Sequence, residues 1–294
     1  MNLNQLETFV QVAEHGSFSK AALMTGSAQP VLSRQVRALE VELRDALFLR
    51  HGRGVQLTET GRLLLDRCHS ILQLVEQAKE DVGAHRDEPV GHVSIAMRPT
   101  LARSHTLALI RAFRQEMPKA RLTILEAFST HITEWLASGR ADLGLVYNPE
   151  PLASLEIRPL REERLCLVSP AREAPAGAVT LQQLGRYALV MPERSHSFRK
   201  LMESAAAMAG VPLRVEWEVS SVPAILDLVS AGIGHAALAE EAIRPFQHLK
   251  RLAVTPFVRP EIKITLCLVT QAQRRATPLR QRTAELLAQL VGGT

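Results

Sequence analysis

Residues 17–39 read SFSKAALMTGSAQPVLSRQVRAL, and their reading decides the first domain. Ser17 can cap a helix in which Phe18, Ala21, Ala22 and Leu23 recur at near-helical spacing, and Gly26 ends it. After the Thr25-Gly26-Ser27 corner, Ser27 can cap a second helix with Pro30 in its first turn. A missing N–H costs nothing there, because first-turn donors have no intrahelical acceptor. Along this second helix Leu32, Val36, Leu39 and Leu43 form a stripe expected to be buried, while Gln29, Ser33 and Arg37 lie one turn apart on another face, with Arg34 beside them. Gln can be bidentate to adenine, Arg can be bidentate to guanine or pair with phosphate, and Ser can bond to either. The second helix therefore has the shape and chemistry for a DNA major groove. Upstream, Leu3, Leu6, Phe9, Val10 and Ala13 form an apolar stripe that ends at Gly16, so three helices can share one small core. Any amphipathic surface helix also shows Arg and Gln outward, so the flanking segments have to decide between the two readings.

Residues 47–58, LFLRHGRGVQLT, carry Arg50 and Arg53 with Gly52 and Gly54 between two short apolar segments, the pattern of a tight wing whose arginines reach phosphates or a minor groove. Thr58 can cap a long helix from 59 to about 85. Its apolar residues Leu64, Cys68, Ile71, Val75, Ala78 and Val82 are spaced 4, 3, 4, 3 and 4, a heptad seam. The expectation is a partner helix from a second chain; the alternative is that the seam packs on the chain's own body. A dimer would hold two recognition helices at a fixed separation and read two half-sites.

Taken together, LNQLETFVQVAEHGSFSKAA, SAQPVLSRQVRALEVELRDALFLR and LTETGRLLL match, in order and spacing, the pattern of the LysR-type transcriptional regulators, which the first 86 or so residues resemble. The stretch FLRHGRGVQLTETGR is most similar to the nitrogen-assimilation-control branch. The resemblance implies that Ser27, Gln29, Pro30, Ser33 and Arg34 sit at recognition-helix positions, with Arg37 on the same face, and that Arg50 and Arg53 sit on the wing. Val31-Leu32 and Arg44-Asp45 depart from the usual residues, away from the polar face.

Net charge is +5, but residues 1–58 hold six basic side chains (20, 34, 37, 44, 50, 53) against five acidic ones (7, 14, 40, 42, 45). Residues 59–88 carry a net −3, so the remaining 206 residues carry +7. Placement rather than total charge carries the DNA argument, and the basic C-terminal body suits an anionic ligand. Aromatic content of 4% weighs against stacking on single strands. Cys68, Cys166 and Cys267 form no CxxC or Cys/His cluster, which argues against a metal and for a reducing compartment. The opening MNLNQLETFV has no basic leader before an apolar core, and no apolar run reaches the roughly 18 residues of a membrane span, so the expected location is the cytoplasm.

Residues 83–91, GAHRDEPVG, read as a linker. Beyond it, strands at 93–97, 122–127 and 143–147 alternate with helices at 101–117 and 129–138. Further strands are expected near 164–168, 187–191, 213–219 and 235–239, with helices near 197–209 and 222–231, then a strand at 262–269 and a helix at 278–291. This alternation predicts mostly parallel sheets in two lobes, the last strand and helix returning to the first. In the LysR-type family this region is a two-lobed domain like the periplasmic binding proteins, with a small effector in the cleft.

The expected organisation is therefore an all-α winged helix-turn-helix at 1–58, a linker and dimerisation helix at 59–89, and a two-lobed α/β effector domain at 90–294. Lobe I takes about 90–160 and 266–294, and lobe II about 161–265. Ligands in open α/β sheets sit at strand C-terminal ends and helix N-termini. Those places hold residues 98–100 with Thr100, then Ser129 and Thr130, Asn148, residues 195–198 with Ser197 and Phe198, and Ser220 and Ser221. Thr100, Ser129 and Thr130 are the strongest candidates, although each hydroxyl is also an ordinary helix cap. No GxSxG, HExxH or phosphate loop is present, and His131 and Glu134 have no third metal ligand nearby in sequence. No catalytic residue, metal or cofactor is expected. The expected partners are a double-stranded DNA operator, a small-molecule effector, further copies of the chain in a homodimer or homotetramer, and RNA polymerase. The competing reading is a ligand-binding or enzymatic α/β protein with an incidental helix-turn-helix.

Overall fold

The computed structural model describes residues 1–52, 54–83, 88–194, 196–246, 251–272, 274 and 277–292, with the side chains of 50, 76, 77 and 79–83 left aside. It forms two compact units, residues 1–86 with 138–140, and residues 87–137 with 141–294.

In the first unit, α1 (Leu3–His15) begins with a capping box in which Asn2 accepts from the Gln5 N–H and Gln5 returns the bond to the Asn2 N–H. Ser17 caps α2 (Phe18–Thr25) as expected, and Gly26, in the left-handed region, ends it. α3 (Gln29–Leu43) has Ala28, not Ser27, at its N-cap, with no side-chain cap; Pro30 falls in the first turn. Leu6, Phe9, Val10, Phe18, Ala21, Ala22, Leu32, Val36 and Leu39 make one core, whereas Leu3, Leu23 and Leu43 are exposed. Leu3 and Leu43 stand at helix ends that run past this small core, and the buried face of the eight-residue α2 is already filled by Phe18, Ala21 and Ala22.

The wing is an antiparallel hairpin of β1 (Phe48–His51) and β2 (Gly54–Leu57), with Phe48 opposite Leu57 and Arg50 opposite Val55. Phe48 anchors it, its ring 5.2 Å from Phe9 and 5.9 Å from Phe18. The Val55 N–H donates to the Gly16 carbonyl at 2.9 Å. A Cβ at Gly54, where φ is +142°, would stand 2.4 Å from that same oxygen. Thr58 accepts from the Gly61 N–H at 2.9 Å and so caps α4 (Glu59–Gly83), as its sequence predicts.

The expected seam on α4 divides. Cys68 is 0% exposed and packs in the core of the chain's own first unit, with Leu64 and Ile71 partly buried beside it. Val75 is half-buried and Ala78 exposed, while the side chain of Val82 lies outside the described residues. Among the described residues the large apolar side chains that α4 leaves open are Leu63, 63% exposed, and Leu74, 58% exposed. The 64/68/71 row therefore serves the chain's own core because α1 packs across it.

The second unit starts with β3 (Gly91–Met97), α5 (Pro99–Glu116), β4 (Ala120–Glu126), α6 (Ser129–Ala137) and β5 (Leu143–Tyr147), whose strands are parallel and almost entirely buried at β3 and β5. β6 (Leu155–Pro170) follows, then β7 (Val179–Thr180), α7 (Leu181–Leu184), β8 (Leu189–Met191), α8 (Ser197–Met208), β9 (Val215–Glu218), α9 (Val222–Ser230), β10 (Ala236–Ala239), α10 (Glu240–Ile243), β11 (Leu252–Val258), β12 (Lys263–Gln271) and α11 (Pro278–Gly292).

One sheet of eight strands runs β4-β3-β5-β12-β6-β11-β7, with β10 also on β6, and β8 pairs with β9. The expectation of separate, mostly parallel sheets is corrected here. At 16 residues β6 is about 53 Å long. Its first part pairs antiparallel with β12 in lobe I and its last six residues pair antiparallel with β10 and β11 in lobe II, fusing the lobes into one mixed sheet. β12 and α11 return to lobe I as expected, β12 lying antiparallel to β5. β11, LAVTPFV, is a strand that its Pro256 hides from pattern reading.

Candidate nucleic-acid interface and ligand cleft

On α3, Leu32, Val36 and Leu39 face the core, which leaves Gln29, Pro30, Arg34 and Arg37 exposed, Ser33 half-buried and Ser27 exposed just before the helix. Gln29, Arg34 and Arg37 make no side-chain hydrogen bond or ion pair among the described residues. Their donors and acceptors are open, the condition for reading base edges. The uncapped start of α3 leaves the Gln29 N–H without an intrahelical acceptor.

Arg50 belongs to β1, but its side chain, like residue 53, lies outside the described residues. Glu40 is a residue that pattern reading passes over. Its Oε1 accepts from the Leu47 N–H at 2.9 Å and the Phe48 N–H at 3.3 Å, which fixes the wing to α3. Arg44 closes α3 at φ +55°, and Asp45 accepts from the Ala46 N–H and from Thr60 Oγ1 at 2.6 Å, so the Arg44-Asp45 departure builds a defined turn.

Between the lobes lies a cleft of about 580 Å³ lined by Ser129, Thr130, Tyr147, Asn148, Ser197 and Lys200, with Glu134 and Glu150 among its other walls. Four of the sequence candidates thus meet in one place because β5 of lobe I ends, and α6 starts, opposite the start of α8. Ser129 Oγ is buried there with no hydrogen-bond partner among the described residues. Asn148 is partly committed to the fold: its Oδ1 accepts from the Thr265 N–H at 2.8 Å, and its own N–H donates to the Thr265 carbonyl at 2.9 Å.

The other candidates are elsewhere. Thr100 lines a separate concavity with Arg103, Leu107, Glu126 and Phe246, because the first turn of α5 carries it away from Arg98. Phe198 is buried beneath the cleft, its ring 5.4 Å from Tyr147 and 4.9 Å from His196. Ser220 and Ser221 are outside the cleft lining, at the start of α9.

Arg98 directly follows the C-terminal end of β3. It is 3% exposed, and its Nη1 donates to Ser197 Oγ at 2.8 Å across the lobes; Nη2 abuts His196 Nε2. Its guanidinium carbon stands 5.0 Å from the Phe198 centroid and 5.9 Å from that of Tyr147. Burial lowers its pKa to about 10, so it stays charged at neutral pH at a cost. Burial, with the Arg98 charge beside it, pushes the pKa of His196 down to about 2, so that ring is neutral. Tyr147 donates to Glu163 Oε1 at 2.9 Å, which also takes Arg161 Nη2 at 2.7 Å; burial raises the Glu163 pKa against both bonds. The available signal for Arg98 was a cation at a strand C-terminus, and what the sequence did not contain was its reach to lobe II.

Residues 3–62 match the family described as bacterial regulatory helix-turn-helix protein, lysR family, and residues 86–292 match the LysR substrate binding domain. The chain is 30% identical over 292 residues to the nitrogen assimilation regulatory protein nac of Klebsiella aerogenes, covering 99% of this chain and 95% of that protein. It is 32% identical over 284 residues to the HTH-type transcriptional regulator BbuR of Bordetella bronchiseptica, covering 95% and 86%. Among solved structures, a point variant of full-length OxyR from Pseudomonas aeruginosa superposes with a TM-score of 0.74 at 24% identity, covering 99% and 94%. Full-length CbnR in complex with its target DNA gives 0.73 at 23%, covering 99% and 100%. No helix among the described residues is long and apolar enough to cross a membrane.

Proposed function

Because the chain belongs to the LysR family of bacterial transcriptional regulators, we propose that it binds a duplex DNA operator through Ser27, Gln29, Pro30, Ser33, Arg34 and Arg37, with Arg50 and Arg53 on the flanking backbone. The observation that carries this reading is the open row Gln29, Arg34 and Arg37 on a helix whose opposite face is fully used by the core. The CbnR complex with DNA supports it by fold. The chain acts in the cytoplasm, without catalytic turnover, as a dimer or tetramer, and with RNA polymerase as a downstream partner. Leu63 and Leu74 are the α4 side chains that suit a second copy.

The effector in this reading binds between the lobes. A carboxylate takes Ser197 and Arg98 together with the unpartnered Ser129 hydroxyl, and a donor group elsewhere on the same molecule faces Glu134 or Glu150. Since Arg98 leaves lobe I and Ser197 opens α8 of lobe II, a ligand there bears on both lobes at once. It controls transcription only as far as it prefers one lobe arrangement over another, about 1 to 3 kcal/mol in typical allosteric proteins.

Genomic fragments bound by the full chain identify the operator, and gel shifts on it test the helix. Gln29→Ala and Arg34→Ala should each weaken operator binding by about 1 to 3 kcal/mol while light scattering shows the same oligomer. Unaltered binding by both variants overturns the assignment.

A further inference from the structure

Lobe I holds a second concavity, at the starts of β5 and β6 and the end of the antiparallel β12. Leu143 opens β5, Glu156 and Arg158 lie near the start of β6, Gln271 closes β12, and Arg280 and Gln281 come from the start of α11; the space is about 260 Å³. It lies at the opposite end of β5 from Tyr147 and Asn148, which line the cleft.

Its charges are built in. Asp142, 4% exposed, takes the Ser94 N–H and hydroxyl on Oδ2, both at 2.7 Å, and Arg274 Nη1 abuts its Oδ1. The Arg274 side chain is 10% exposed, and its Nε is buried with no hydrogen-bond partner among the described residues. Arg280 is also buried, its Nε donating to Thr277 Oγ1 at 3.3 Å. Arg158 and Glu156 stand at the rim. Among the described residues three guanidiniums thus line the space with two carboxylates, of which Asp142 is already bonded by Ser94. A guanidinium offers five donors in a fixed fork and no acceptor, a match for a group presenting two oxygens.

We propose that this concavity is a second ligand site, binding a small oxyanion between Arg274, Arg280 and Arg158. Inorganic phosphate or a short dicarboxylate suits a space below the usual range for drug-sized molecules. Glu156 at the rim disfavours larger polyanions, and the site does not depend on what fills the cleft.

Calorimetric titration of the full chain in chloride buffer, with inorganic phosphate and with succinate as probes, tests it. At least one probe should saturate a single site, and Arg280→Gln should weaken it about tenfold or more, the worth of one charge-assisted hydrogen bond. Because Arg280→Gln alters a buried charge, the rim variant Arg158→Ser is the companion. It should keep the wild-type melting transition and still lose several-fold in affinity. No binding of either probe, or affinity undiminished in both variants, overturns the proposal. Affinity retained in those two but lost in Ser197→Ala overturns it as well, by moving the anion to the cleft, and leaves the cleft reading standing.

Discussion

Replacing Arg98 by Met separates what this residue does for stability from what it does for binding. The arginine is kept at net expense: its pKa is about 10 where 12.5 is usual. A difference of that size is worth about 3 kcal/mol against the charged form, with burial lowering the value and Tyr147 partly opposing it. Methionine retains most of the apolar stem against Phe198 and Tyr147 and removes the charge, at a repacking cost of about 1 kcal/mol. Arg98→Met should therefore leave the effector domain between unchanged and about 2 kcal/mol more stable. Urea denaturation of the full chain, followed through the transition of the larger unit at constant slope, reads this directly. Over the same substitution, affinity for a carboxylate effector should fall about 10- to 100-fold, the loss of a charge-assisted contact. A stability loss above about 2 kcal/mol would show that Arg98 is a structural cation and refute the reasoning.

Leu74→Asp should yield monomers in light scattering, whereas Cys68→Ala should keep the oligomer and cost the first unit about 1 kcal/mol by opening a small cavity; dissociation by Cys68→Ala alone would restore the 64/68/71 row as the seam. Phe48→Ala, which strips the ring that meets Phe9 and Phe18, should destabilise the first unit by about 3 to 5 kcal/mol in thermal melts. Glu40→Ala leaves the Leu47 and Phe48 N–H groups without their carboxylate; it should cost about 1 to 3 kcal/mol and weaken DNA binding by loosening the wing, as gel shifts will read.

Acid should destabilise the effector domain through His196. The ring is neutral in the fold down to about pH 2, whereas the unfolded chain protonates near 6.5. Its contribution is therefore complete above 6.5 and is lost as pH falls below that value, by about 1.4 kcal/mol per pH unit. Burial also lowers His105 and His235, which act in the same direction. Denaturation at about pH 7 and about pH 5.5, on either side of the unfolded value, should show the loss, and His196→Asn should reduce it. An identical slope in that variant would assign the effect to the other histidines.

Much of the DNA-binding unit is legible in the sequence alone. Apolar spacing on α1, α2 and α3 dictates which faces are buried, and in a helix the buried face dictates the exposed one; Gln29, Arg34 and Arg37 follow without further information. The caps Ser17, Gly26 and Thr58 are equally local, being bonds within a few residues. Ser27 falls one residue short of the N-cap that the structure gives to Ala28, since a small polar residue at such a corner offers a capping signal that its alanine neighbour lacks.

Tertiary structure decided what local pattern leaves degenerate. Two apolar rows share α4, one through Cys68 and one through Leu63 and Leu74, and only the position of α1 selects which is core and which is open. Arg98 and Thr100 both stand at the end of β3, yet the turn into α5 sends one to Ser197 and the other to a different concavity. β6 reads as one strand of a second sheet because its pairing with β12, about a hundred residues away, leaves no mark on either segment. A helix face is set by 3.6-residue geometry within the chain, but a cleft is made by residues far apart in sequence, and that meeting is a property of the fold.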